Sequence, residues 1–185
     1  GMAKLTALKS LYLSDNHLQH LPRLPASLEV LRLSENRLTT IPLYGLPRLR
    51  ELRLTSNRIG GFSTTIKSLT ALRTLDLSDN RLTGLPAWIA SLPSLTKLRL
   101  ARNRLTTLPG SIGGLSTLRS LDLTGNQITR LPDALGDVPL QHLGLTWALA
   151  GTIPPVVGRL KSLRQLNLMS CGLHTCLLYT SPSPR

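Results

Sequence analysis

Four histidines and two cysteines are the side chains here best suited to metal ligation or nucleophilic attack, and their spacing argues against both. His17, His20, His142 and His174 stand without cysteines or carboxylates at ligand spacing. Cys171 and Cys176 are five residues apart. That spacing admits a redox pair, but both fall at inward-pointing positions, where a buried cysteine behaves as a small hydrophobe. Gly60-Gly61 and Gly113-Gly114 lack the following Lys-Ser/Thr of a phosphate loop. Seven of the nine acids are spread at different heights, so no general acid/base pair is evident. The expectation is a protein with no catalytic centre, no metal and no cofactor.

The composition bounds the partners. Apolar residues make up 41% of the 185, but aromatic residues only 3%, so the core is mostly Leu and Ile. The net charge of +13 makes polyanions candidates, such as nucleic acid or a membrane surface. No Asn-x-Ser/Thr acceptor occurs, no cleavable leader is visible from Gly1 to Leu13, and no apolar run reaches membrane-spanning length. With only two cysteines, a reduced, cytoplasmic setting is expected. The chain starts inside a repeat, so a leader upstream of Gly1 is left open.

What must position any functional residue is a repeat. The segments LRTLDLSDNRLTGLP from Leu72, LTKLRLARNRLTTLP from Leu95 and LRSLDLTGNQITRLP from Leu118 share L-x-x-L-x-L-x-x-N-x-L-x-x-L-P. Similar blocks begin at Leu8, Leu28 and Leu49, with weaker ones at Leu140 and Leu163. The Asn column runs Asn16, Asn36, Asn57, Asn80, Asn103 and Asn126, then Ala148 and Cys171, in steps of 20 to 23 residues. This pattern resembles the leucine-rich-repeat family over about residues 5 to 176. The spacer from Leu21 to Leu31 resembles short bacterial effector repeats. LPAWIASLPSL and LPGSIGGLSTL resemble the 23-residue type of signalling scaffolds, and GTIPPVVGRLKSLRQLNL resembles the plant receptor type.

The resemblance implies an α/β leucine-rich-repeat right-handed solenoid, or horseshoe, with a concave parallel β-sheet and short helical or 3₁₀ turns on the convex side. In L-x-L both Leu side chains face inward and the intervening residue faces solvent. The Asn amide turns inward and satisfies backbone groups of neighbouring turns, giving a ladder. The Pro ends the strand pattern. The array is expected to span residues 1–176 in about eight units. Neither end supplies a polar cap, so the chain reads as a fragment of a longer array or a solenoid with poorly protected ends. The tail 177–185, LLYTSPSPR, has no register and is expected to be disordered or artefactual.

The solvent-facing columns vary while Leu and Asn do not, as a binding surface on a fixed frame requires. The candidate partner-binding residues on the concave face are Tyr12, Arg32, Glu51, Arg53, Asp76, Lys97, Arg99, Asp122, His142 and Trp147. Trp147 reads either as an interface anchor or as filler for the gap left where Ala148 replaces the ladder Asn. Ten basic residues share that face with seven acids, a balance of about +3. Much of the surplus therefore lies elsewhere. Part of it is Arg37, Arg58, Arg81 and Arg104, each following a ladder Asn and stacked along one lateral edge, with local pairing such as Arg81 to Asp79.

Mixed charge on the concave face suits discrimination between proteins better than a phosphate groove does. The leading expectation is a non-catalytic, monomeric scaffold that binds another protein through its concave face. One alternative is the recognition part of a longer enzyme or receptor, such as a kinase or ubiquitin ligase. The second is a polyanion or nucleic-acid binder using the basic edge.

Overall fold

A computed structural model of the chain describes residues 1–145, 153–169 and 171. Each repeat contributes one three-residue strand: β1 (Ser10–Tyr12), β2 (Val30–Arg32), β3 (Glu51–Arg53), β4 (Thr74–Asp76), β5 (Lys97–Arg99), β6 (Ser120–Asp122), β7 (His142–Gly144) and β8 (Gln165–Asn167). They form one parallel sheet in sequence order, with equivalent Leu residues in register: Leu31 beside Leu52, Leu52 beside Leu75, and Leu75 beside Leu98. Hydrogen bonding runs past the strand ends. Leu33 N–H donates to Arg53 O at 2.8 Å, Leu54 to Asp76 O at 2.8 Å, and Leu77 to Arg99 O at 2.9 Å. This is the order that a solenoid of stacked repeats must have.

The two Leu residues of L-x-L point into a continuous core. Leu31, Leu33, Leu52, Leu54, Leu75 and Leu77 are fully buried there. Burying each such side chain is worth about 1.5–3 kcal/mol, but only once a neighbour covers it. Leu11, Leu13 and Leu18 of the first unit, packed against one neighbour, stay half-buried.

The longer repeats close with a 3₁₀ turn opposite the sheet, at Thr64–Ser68, Ala87–Ser91, Gly110–Gly114, Asp133–Asp137 and Pro155–Arg159. Pro86, Pro109, Pro132 and Pro154 stand extended before four of them, where a missing N–H costs nothing. The fifth uses Ser63, whose hydroxyl accepts from Thr65 N–H. The turn is not universal, contrary to what the repeat pattern implies. The connections from β1 to β2 and from β2 to β3 contain none. Those repeats are two or three residues shorter, and the residues missing are those that would close the turn. On the turn side Phe62 meets Trp88 edge-to-face, with centroids 6.0 Å apart. The expected boundary at residue 176 and the tail 177–185 lie outside the described residues.

Candidate functional site

The display surface rests on the Asn column. Asn103 Nδ2 donates to Leu77 O at 2.9 Å in the preceding repeat, and to Leu100 O and Ala101 O in its own. Its Oδ1 accepts from Leu82 N–H at 3.0 Å. Asn36, Asn57, Asn80 and Asn126 repeat the arrangement. Asn16 does not: it is exposed and donates only to Leu13 O and Ser14 O of its own unit. At the other end Cys171, buried, takes the Asn place. Its thiol donates to Leu145 O at 2.9 Å, so it acts as a partial rung as well as a small hydrophobe.

The residue before each ladder Asn adopts a left-handed backbone: Asp15, Glu35, Ser56, Asp79, Arg102 and Gly125, with φ between +51° and +68°. That bend turns the Asn inward and leaves the next residue outward. Nothing in the side-chain pattern announces it, since only one of the six is Gly.

On the concave face most charges are already paired. Arg32 and Arg53 both lie 2.9 Å from Glu51 Oε1. Arg32 Nε makes an aligned hydrogen bond there, whereas Arg53 Nε is close without one. The Arg32 guanidinium also stacks over Tyr12, 5.1 Å from the ring centroid. Tyr12, Arg32, Glu51 and Arg53 thus form one connected cluster. Beside it Glu29 lies between Lys9, at 3.6 Å, and Arg50, at 3.8 Å.

Asp76 departs from the expectation of a displayed residue. It is 7% exposed. Its Oδ1 accepts from Ser78 N–H at 3.1 Å, and its Oδ2 faces Arg99 at 3.5 Å. A short acid in this column folds back onto the backbone two residues on. Asp122 does the same with Thr124 N–H at 3.0 Å and stays half-exposed.

The remaining predicted residues gather farther along. Lys97 and His142 are exposed, and Lys97 makes no ion pair among the described residues. With Arg99, Asp122, Gln165 and Asn167 they line an open depression of about 410 Å³. Its floor is Gly144, where a Cβ would come within 2.7 Å of Asp122 Oδ1 and 2.9 Å of Thr124 Cγ2. Gly144, Gln165 and Asn167 were not among the expected site residues. A glycine in a column otherwise filled by Tyr, Arg, Asp and Asn was the available signal. Trp147 lies outside the described residues, as do Ala148, His174 and Cys176.

The edge arginines differ. Arg37, Arg58, Arg81 and Arg104 are all exposed, and none has an ion pair among the described residues. The expected pairing of Arg81 with Asp79 is not formed. Asp79 instead faces Arg102 of the next repeat at 3.6 Å, because both occupy the left-handed position that leans toward the sheet.

Among the described residues no three His, Cys, Asp or Glu side chains gather to hold a metal ion, and no helix is long and apolar enough to cross a membrane. The parallel sheet, the amide ladder and the repeat register together define a leucine-rich-repeat array. The leucine rich repeat family model matches residues 6–59, 62–105 and 93–147, and the chain belongs to that family. Among its relatives is mouse Podocan-like protein 1, 52% identical over 60 residues, which is 30% of this chain and 11% of that protein. A leucine-rich-repeat protein of Leptospira interrogans superposes with a TM-score of 0.79 at 34% identity, covering 88% of this chain and 44% of that one. An internalin of Listeria monocytogenes does so with 0.79 at 28% identity, over 90% and 49%. A plant peptide hormone receptor, RGFR1 in complex with RGF2, matches with 0.73 at 34% identity, over 86% and 27%. The chain therefore spans less than half the length of these proteins. Leucine-rich-repeat domains are typically sites of protein–protein interaction.

Proposed function

We propose that this chain is a non-catalytic protein-interaction scaffold whose partner docks on the concave sheet, centred on the depression over Gly144. One observation carries the reading. The constant Leu and Asn columns hold a concave floor, and over Gly144 it opens into a recess rimmed by Lys97, His142 and Asp122 from three successive strands. Recesses with a few converging polar groups are where side chains of a partner gain most. The paired cluster around Glu51, on β1 to β3, lies farther along the same concave sheet and offers a pre-set mixed-charge surface to the same partner.

The test is a photo-crosslinking amino acid placed at Lys97, compared with one at exposed Ser91 on the turn side. The same partner band should form from position 97 and not from 91. Lys97→Glu with His142→Glu should abolish it while the melting curve is unchanged. Crosslinks from position 91 alone would refute the reading.

A second reading, the recognition part of a longer receptor or enzyme, draws on the short span of this chain against its relatives and on the peptide-bound receptor among them. The full reading frame decides it: a kinase or ligase domain in frame supports it, and none sinks it.

A further inference from the structure

We infer that the lateral edge carrying Arg58, Arg81 and Arg104, extended by Arg37, binds a linear sulfated polysaccharide, on a surface separate from the concave site.

Backbone bonds hold the row in register. Arg37 N–H donates to Leu18 O at 2.9 Å, Arg58 to Leu38 O at 2.9 Å, Arg81 to Ile59 O at 2.9 Å, and Arg104 to Leu82 O at 2.8 Å. One repeat advances by roughly the strand spacing, so the backbone positions of these arginines stand about 5 Å apart along one edge. Two residues on, each repeat adds an exposed neutral position, filled by Thr39, Gly60, Thr83 and Thr106. The edge is therefore one row of cations beside one row of mostly hydroxyls.

No carboxylate lies in either row. The nearest acids stand just before the ladder Asn. Of these Asp79 faces Arg102, while Asp15 and Glu35 adjoin the N-terminal end of the row. Positions 56 and 125, in that same column, are Ser and Gly. The stretch from Arg58 to Arg104 thus lacks internal neutralisation, whereas on the sheet six cations have an acid within 4 Å: Lys9, Arg32, Arg50, Arg53, Arg99 and Arg102. A row of like charges without counter-charges is completed by a polyanion, which releases counterions from both partners.

The shape of the row selects among polyanions. It is one guanidinium wide, which fits a single chain bearing charges along its length. Among the described residues neither row holds a stacking platform for unpaired bases: Phe62 and Trp88 are engaged with each other, Tyr12 with Arg32, and exposed Tyr44 belongs to the connection from β2 to β3, seven residues past Arg37. The edge also lacks the apolar wedge that would anchor it in a bilayer. A sulfated sugar chain supplies anions for the arginines and hydroxyls for the threonine row. Arg is suited to such oxyanions through its planar fork of donors.

The experiment uses the full chain on immobilised heparin with a sodium chloride gradient. Retention should persist above physiological ionic strength, about 0.15 M. Arg58→Gln, Arg81→Gln and Arg104→Gln together should remove that retention. In solution they should weaken heparin binding on the order of tenfold or more, and flatten the slope of log affinity against log salt by roughly 0.7–0.9 for each arginine replaced. A charge-matched control, Arg48→Gln, Arg73→Gln and Arg164→Gln, removes exposed arginines off this edge and should elute close to the parent. Equal loss in both triples would mean that net charge alone binds heparin, and the site would be rejected. Edge-dependent binding that is tighter to poly(U) RNA, or to phosphatidylserine vesicles, than to heparin at equal salt would overturn the choice of ligand. All six positions are exposed, so at about 0.15 M salt, where exposed charges are largely screened, a circular dichroism melt should stay close to the parent in each variant.

Discussion

The concave strip and the lateral edge both carry arginines, one repeat apart, on the same frame. They use them in opposite ways. On the strip Arg32 and Arg53 close on Glu51, and Arg99 faces a buried Asp76. On the edge Arg37, Arg58, Arg81 and Arg104 face solvent, with no ion pair among the described residues. A net charge of +13 thus describes neither surface. Paired charges give shape, register and selectivity at little net gain in affinity. Unpaired ones give long-range attraction that salt weakens. Charge in a repeat array therefore has to be assigned by column and then by partner.

The largest perturbation should come from the frame beneath both surfaces. Asn103→Ala leaves Leu77 O and Leu82 N–H without their amide partner and should cost about 2–3 kcal/mol. A urea titration would show it as a lowered midpoint, and an unchanged midpoint would mean that the two surfaces do not share the ladder.

Next comes the strip itself. Asp76→Ala removes the acceptor for Ser78 N–H and the partner of Arg99, a loss of about 1–2 kcal/mol. Arg81→Ala on the edge should stay within about 0.5 kcal/mol. Thermal melts of the two variants side by side test the contrast directly, and equal losses would erase it.

Smaller still is Glu51→Gln. The pair with Arg32 is partly exposed, so about 0.5 kcal/mol is expected, shrinking as salt is added. A loss that grows with salt would mean packing rather than charge.

The smallest effect has the opposite sign. Replacing Arg58, Arg81 and Arg104 by Gln relieves repulsion between neighbours whose backbones stand about 5 Å apart, at most about 0.8 kcal/mol per pair in water and less as the exposed side chains splay apart. Stability should rise slightly in low salt and converge on the parent in high salt. A fall in low salt would show that the edge arginines have partners after all.

The columns were legible in the sequence because Leu and Asn recur at fixed offsets, and a column is a property of one repeat. Pairing was less legible because it joins residues about 20 apart, and its geometry depends on how each side chain leans. Asp79 is two residues from Arg81 yet turns to Arg102, 23 residues on. The left-handed bend that sends it there leaves no mark at Asp15, Glu35 or Ser56. Asp76 and Arg53 occupy equivalent strand positions, but the short acid reaches its own backbone and the long base cannot. The recess over Gly144 was present as a residue and invisible as a shape, because its depth comes from Asp122 and Thr124 of the preceding repeat.

The amide ladder also has a direction. Every cross-repeat bond of Asn36, Asn57, Asn80, Asn103 and Asn126 reaches back, to a carbonyl and an N–H of the repeat before it. A chain emerging from the ribosome meets each Asn after its docking groups have already been made. Growth can then proceed like a ratchet, each new coil locking onto a finished one without waiting for later coils to emerge. Trimming from the two ends is correspondingly unequal. Loss of the last coil frees the backbone groups that its Asn had engaged, whereas loss of the first strands an amide, as at Asn16, with only its own coil to bond.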